Sequence, residues 1–184
     1  MEASDVSADL TRVLVSEAEI REKLAELARR IEHDYEGDLP LLVGVLKGAV
    51  MVMADLAREL RIHIDMDWMA VSSYGAGTQS SGVVRILKDL DTDLTGRRVL
   101  IVEDIIDSGL TLSWLKENLS LRGAKSVEIC ALLRKPGAAK VDVDVTYLGF
   151  DIPNEFVVGY GLDYAEAYRN LRDVAVLAPH VYEH

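Results

Sequence analysis

The sequence predicts an α/β fold: a doubly wound, mainly parallel sheet flanked by helices, with a small hood and a mobile antiparallel loop. Three observations predict it. Short apolar runs at residues 41–46, 98–103 and 127–133 alternate with stretches of helical periodicity, which is the order that builds βαβ units. Two of these runs pass straight into tight polar turns, Lys47-Gly48 and Asp107-Ser108-Gly109, and from there into helices. The chain has 184 residues, 49% of them hydrophobic and 28% charged, which suits one globular domain with a full core.

The elements follow in order. Residues 1–15 begin acidic and rich in small side chains, and are expected to be flexible. Ser16 and Glu19 have the form of a capping box, after which Ile20, Leu24, Leu27, Ala28 and Ile31 recur on one helical face until Gly37. Residues 41–46 read as a buried strand, followed by Lys47-Gly48 and a helix over 49–60. Over 62–72, Ile64, Met66, Trp68 and Ala70 alternate with more polar neighbours, predicting a strand with two unlike faces. The small-residue stretch 72–82 cannot bury enough apolar surface to hold one conformation. It is expected to be a mobile loop between two antiparallel strands, the second at 83–87. The acidic run 88–93 reads as a solvated turn.

A strand at 98–103 leads to a helix whose face is Leu112, Leu115 and Leu119, and which stops at Gly123, a residue free to adopt a left-handed cap. Further strands are expected at 127–133, 145–150, 156–158 and 174–177. The segments at both ends of the chain are expected to form the hood over the carboxyl edge of the sheet. The chain reads as a single domain over 1–184.

Charge and composition exclude several functions. The net charge is 20 − 31 = −11, and so acidic a surface repels a polyphosphate backbone. Nucleic acid is therefore not expected as a partner. No stretch is apolar for long enough to span a bilayer, and the start lacks the basic and apolar runs of a secretory signal, so a cytoplasmic location is expected. Cys130, the single cysteine, lies in an apolar run and reads as a small buried hydrophobe.

The segment Val99-Leu-Ile-Val-Glu103-Asp104-Ile-Ile-Asp107-Ser108-Gly109-Leu110-Thr111 carries the chemistry. Two adjacent carboxylates end a buried strand, a third sits in the turn, and small or hydroxyl side chains open the helix. Backbone N–H groups in such a turn converge, and the positive end of the helix adds to them, so a phosphate monoester is well held there. Glu103 and Asp104 are hard, acceptor-only groups suited to ribose hydroxyls and to Mg²⁺. A turn whose acids merely cap the helix would explain one acid and a serine, but not three carboxylates around Ser-Gly-x-Thr.

This segment resembles the phosphoribosyl pyrophosphate signature of type I phosphoribosyltransferases. Leu46-Lys47-Gly48, Ser73-Tyr74, Lys135-Pro136 and the block from Phe156 to Arg169 match, in order and approximate spacing, the hypoxanthine-guanine branch of that family. The resemblance covers nearly all of residues 20–177. It implies Mg-dependent purine salvage: transfer of 5-phosphoribosyl from phosphoribosyl pyrophosphate to N9 of hypoxanthine or guanine, giving IMP or GMP plus pyrophosphate. A homodimer or homotetramer is implied as well.

By resemblance, Asp107 is the catalytic carboxylate beside N7 of the purine. Lys47 and Gly48, often joined to the preceding residue by a cis peptide in the family, bind pyrophosphate with Arg169. Asp107, Ser108, Gly109, Leu110 and Thr111 hold the 5-phosphate, while Glu103 and Asp104 bind ribose and a metal ion. Asp163 is implied as ligand of a second Mg²⁺, although the residue alone reads as an ordinary loop acid. Lys135 would meet the group at position 6 of the base. Phe156 would stack on the ring and Val157 would border its edge, yet Phe156 reads equally well as a core aromatic. Ser73 and Tyr74 begin the loop that the family closes over the reacting atoms. Ser108 stands where some members carry threonine and keeps the hydroxyl; Arg134 occupies a variable position. A nucleotide-sensing RNA-binding regulator of the same fold would need a basic face, which the charge disfavours. Xanthine as the main base remains open at this level.

Overall fold

The computed structural model describes residues 1–74 and 83–183, with Ser73, Tyr74 and Val83 described by backbone alone. The predicted loop tip at 75–82 lies outside the described residues. Nine strands and four α-helices are described: β1 (Leu10–Val15), α1 (Glu17–Asp34), β2 (Leu41–Leu46), α2 (Val50–Glu59), β3 (Asp65–Tyr74), β4 (Val83–Lys88), β5 (Arg98–Ile106), α3 (Leu110–Ser120), β6 (Ser126–Arg134), β7 (Tyr147–Asp151), β8 (Val157–Val158), β9 (Val174–Leu177) and α4 (Pro179–Tyr182).

Six strands form the main sheet in the order β4-β3-β2-β5-β6-β7, parallel except for the antiparallel β3–β4 pair. Because β2 pairs with both β3 and β5, the chain winds outward in one direction and then restarts in the other. The turns after β2 and β5 therefore part from each other, and a crevice opens between them at the carboxyl edge, the usual ligand position in such sheets.

Side-chain alternation along the central strands builds the two faces. Leu42, Leu100, Val102, Cys130 and Leu132 pack with α1 and α2 on one side. Leu41, Val43, Val99, Ile101, Ile129 and Ala131 pack with the Leu112, Leu115 and Leu119 face of α3 on the other. The α1 face is the predicted one, and Ser16 caps the helix by accepting the Glu19 N–H while the Glu19 side chain returns to the Ser16 N–H. Burial pushes the Cys130 thiol up to about 12, so it serves as a hydrophobe. Among the described residues no helix is long and apolar enough to cross a membrane.

The hood is a second, three-stranded sheet in the order β1-β9-β8, made from both ends of the chain as expected. Residues 1–15, for which the sequence suggests a flexible lead, are built into it. A 3-10 helix over Ala3–Asp9 leads into β1, which pairs antiparallel with β9, and the Met1 ammonium donates to the Asn170 carbonyl at 3.3 Å. The missed signal is nonlocal, since β1 is half exposed and gains its identity only from β9.

Two other expectations change. On β3, Met66 is exposed while Asp67 is buried, and its carboxylate accepts the N–H groups of Asp91 and Thr92 at 3.0 and 2.9 Å. The run at 88–93 is thus partly tied to the sheet by a buried acid rather than simply solvated. In addition, β5 continues through Ile106, pairing Ile105 with Leu133 and Ile106 with Arg134. Glu103 and Asp104 consequently sit within the strand, not at its end.

Candidate active site at the carboxyl edge of the sheet

Gly109 starts α3 in the left-handed region at φ 79°, where a side chain would be strained. Its neighbours shape the turn. The Ser108 carbonyl accepts the Lys140 N–H at 2.9 Å, and the Ser108 hydroxyl accepts the Leu110 N–H at 3.4 Å. The first N–H groups of the helix have no partner within it, so the turn presents donors and the positive helix end to whatever lies in front. In front lies a cleft of about 260 Å³ whose walls include Gly48, Glu103, Asp104, Asp107, Ser108 and Thr111.

The acids in this cleft are poorly compensated. Glu103 Oε2 is buried and meets no hydrogen-bond partner among the described residues. Burial first, and the neighbouring Asp104 second, hold its carboxyl well above the ordinary range. Asp104 is raised to about 6, chiefly by burial and further by Asp163, against the lowering effects of the Ile105 N–H and Arg169. Its Oδ1 accepts the Ile105 N–H at 2.8 Å. An orphaned acceptor beside a second desolvated carboxylate suits a hard cation or a pair of hydroxyl donors. Among the described residues no group of three or more His, Cys, Asp or Glu side chains is arranged to hold a metal alone. A Mg²⁺ ion commonly takes only one or two carboxylates and completes its shell with water and phosphate oxygens, which is compatible with this pair.

A second cleft of about 200 Å³ is lined by Ile105, Asp107, Lys135, Phe156, Val157 and Leu162. It shares Asp107 and Ile105 with the first. Lys135 is buried, follows β6 directly, and brings its Nζ to 3.7 Å from Asp107 Oδ2. The Asp107 side chain is 60% exposed, so it faces open space between the clefts. Phe156 is partly exposed, lines this cleft and stacks on Tyr182, with ring centroids 5.0 Å apart.

The turn after β2 forms a third corner. The Leu46–Lys47 peptide is cis. A β-carbon on Gly48 would overlap the Asp104 carboxylate, and one on Gly161 would overlap the Gly48 carbonyl, so three segments meet closely there, two by backbone and the third through the Asp104 side chain. Gly161 belongs to a strap over residues 159–171, pinched by hydrogen bonds from the Tyr160 N–H to Leu171 O at 3.0 Å and from the Gly161 N–H to Arg169 O at 2.9 Å. Within it Arg169 donates to the Gly161 carbonyl at 2.8 Å and pairs with Asp163 at 2.9 Å. Asp163 Oδ2 accepts the Glu166 N–H at 2.9 Å.

The structure thus gathers nearly all the residues singled out in the sequence along one edge. Leu110 stands just inside α3, its N–H donating to the Ser108 hydroxyl at 3.4 Å. Ser73 and Tyr74 end β3, paired by backbone with Val84 and Val83; their side chains lie outside the described ones. Ile105, Leu162 and Glu166 were not singled out. The first two carry no chemical signal beyond being apolar, whereas Glu166 lay in plain view, three residues from both Asp163 and Arg169.

The chain is similar to known proteins over nearly its whole length. Residues 14–165 match the phosphoribosyl transferase domain family. The hypoxanthine-guanine phosphoribosyltransferase of Mycobacterium tuberculosis (strain ATCC 25618 / H37Rv) is 54% identical over 181 residues, covering 95% of this chain and 90% of that protein. The enzyme of the same name from Bacillus subtilis (strain 168) is 54% identical over 175 residues, covering 95% and 97%. A crystal structure of a hypoxanthine phosphoribosyltransferase from Staphylococcus aureus superposes with a TM-score of 0.95 at 44% identity, covering 98% of both chains. With more than half of its residues shared with two such enzymes and its fold shared end to end with a third, the chain belongs to the phosphoribosyltransferase family, in the hypoxanthine-guanine branch.

Proposed function

We propose that the chain catalyses Mg-dependent transfer of 5-phosphoribosyl from phosphoribosyl pyrophosphate to N9 of hypoxanthine or guanine, releasing pyrophosphate and giving IMP or GMP. The observation that carries this reading is that Asp107, with Ile105, belongs to both the phosphate-facing cleft and the Lys135–Phe156 cleft, so a sugar in one and a base in the other would meet beside it.

In this reading the Asp107–Thr111 turn binds the 5-phosphate through backbone N–H groups, with Ser108 and Thr111 adding hydroxyl donors. Glu103 and Asp104 accept the ribose hydroxyls. Phe156 offers a ring face to the purine, Val157 borders its edge, and Lys135 donates to the oxygen at position 6. As the C1–pyrophosphate bond breaks and N9 bonds to C1, Asp107 takes the proton that the base must lose. Lys47 and Arg169, with the backbone of Gly48, receive the leaving pyrophosphate, and Ser73 and Tyr74 lead into the segment that would cover the reacting atoms. Mg²⁺, held by Glu103 and Asp104 with Asp163 as a water-linked second position, would supply charge neutralisation at the pyrophosphate oxygens.

Assays with hypoxanthine, guanine, xanthine and adenine, each with phosphoribosyl pyrophosphate with and without Mg²⁺, test the reading. IMP and GMP formation is expected, abolished by chelation; failure with every oxopurine would sink it. Asp107→Asn keeps the shape but not the base, and kcat is expected to fall on the order of 10²–10⁴-fold while phosphoribosyl pyrophosphate binding persists. Near-normal turnover would move the proton to another group.

A further inference from the structure

One carboxylate already engages both cations of the leaving-group pocket. Glu166 Oε2 accepts from Lys47 Nζ at 3.0 Å, and Glu166 Oε1 accepts from Arg169 at 3.2 Å. The contact joins the strap to the turn after β2, elements that are 119 residues apart at these two side chains. Lys47, and then Arg169, hold the Glu166 carboxyl below its ordinary range.

The backbone beneath it is unusual. Ala165 and Glu166 have φ of 49° and 66°, two successive left-handed residues closing the bridge between Tyr164 and Ala167. Such a two-residue turn is ordinarily filled by Asn-Gly or similar pairs, which adopt it at little cost, whereas Ala and Glu pay the steric cost of a Cβ near the following carbonyl. An Asn-Gly pair would close the same hairpin but would carry no carboxylate.

We propose that Glu166 is an internal counter-anion of the pyrophosphate subsite. It neutralises Lys47 and Arg169 while the subsite is free, and yields them when pyrophosphate or the pyrophosphate end of the substrate arrives. This rests on the reading of Lys47 and Arg169 as the leaving-group pocket.

The geometry suits exchange. The Lys47 and Glu166 side chains are 67% and 65% exposed, and exposed ion pairs are weak enough to be displaced by a ligand carrying several negative charges. Arg169 does not lose its aim when Glu166 leaves, because Asp163 and the Gly161 carbonyl still hold the guanidinium. The cost falls on the ligand's affinity: the incoming anion competes with a tethered one for the same donors. Glu166 thereby weakens binding at one end of the active site only, and speeds release of pyrophosphate after transfer.

The test is calorimetric titration of pyrophosphate and of IMP, each with Mg²⁺, into the wild-type chain, Glu166→Gln and Lys47→Ala. Glu166→Gln is expected to bind pyrophosphate roughly 3- to 10-fold more tightly, with IMP affinity changed less than about twofold because IMP uses the phosphate turn and base cleft. Pyrophosphate should become a stronger product inhibitor by the same factor. Unchanged or weaker pyrophosphate binding in Glu166→Gln, with IMP unaffected, overturns the proposal and leaves Glu166 a support for the two cations. Equal weakening of both ligands also overturns it, assigning the carboxylate to the fold. If Lys47→Ala binds pyrophosphate as well as wild type, the leaving-group assignment of Lys47 fails instead, a separate result.

Discussion

Lys135 holds an ammonium almost out of water, and its nearest countercharge is the Asp107 carboxylate at 3.7 Å. A lysine in that position can only donate. In the proposed base cleft, hypoxanthine, guanine and xanthine would present an oxygen at position 6 and satisfy it; adenine would present an amino group, so donor would face donor. Such mismatches cost on the order of 10³-fold or more in kcat/KM. Lys135→Ala is therefore expected to lower kcat/KM for hypoxanthine sharply and adenine little, collapsing the ratio between them, and an unchanged ratio would return Lys135 to a structural role. Asp104 offers a second residue-scale test. Its folded-state value of about 6 lies above its ordinary 3.8, so the folded protein binds the proton more tightly than the unfolded chain does. The resulting penalty is absent at low pH, grows as pH rises from about 4 to about 6, and is complete above that. Asp104→Asn keeps an acceptor for the Ile105 N–H and removes the charge. Without ligands it should melt about 2–6 °C higher than wild type at pH 8, with the gain vanishing near pH 4; a gain that persists at pH 4 would mean that packing, not charge, is responsible.

At the scale of elements, legibility followed the range of the interactions. The strand at 41–46 and the buried α1 and α3 faces are written in local periodicity, and the structure places them as read. The turn from Asp107 to Thr111 was legible for the same reason: its acids, hydroxyls and glycine are contiguous, so chemistry and backbone can be read together. The identity of β1, the burial of Asp67 and the three added residues of β5 were not, because each depends on a partner far along the chain. Neither was the stack in which the strap's Gly161 rests on Gly48 and Gly48 on Asp104. That stack sets the distance between the strap that carries Arg169 and the buried acid Asp104. Gly161→Ala would place a β-carbon against the Gly48 carbonyl at a φ of 100°, forcing the strap outward. A displacement of about 1 Å at a reacting group can cost on the order of 10²-fold, so kcat/KM for phosphoribosyl pyrophosphate should fall roughly 10- to 100-fold. IMP binding, which in the proposed reading does not use the strap's Arg169, should fall far less; equal losses would show that the stack is not specific to the proposed leaving-group corner.

For the whole molecule, the question is whether hood and main sheet are one cooperative body. They are separate sheets, and a hood with its own core could open independently, as weakly packed regions do. The packing argues otherwise. Val15, Val157, Tyr160, Val174 and Val176 of the hood belong to the same buried cluster as Leu24 and Leu27 of α1 and Leu42 and Leu100 of the main sheet. The hood's own cluster is small, with Val158, Leu171 and Leu177 as its buried members. Polar ties run the same way: the Tyr160 hydroxyl donates to Asp55 on α2 at 2.6 Å, and Asp173 accepts the N–H of Glu17 at the start of α1 at 2.8 Å. Detaching the hood would expose one side of the larger core and leave the smaller cluster too little apolar surface to stand alone. One unfolding transition is therefore expected, reported alike by Trp68 and Trp114 fluorescence and by far-ultraviolet circular dichroism. Native-state hydrogen exchange gives the sharper reading: the amides of β9 should open with a free energy within about 1 kcal/mol of those of β5. If β9 instead exchanges by a much cheaper opening while β5 stays protected, the hood is a separate unit, and the active site lies between two bodies rather than within one.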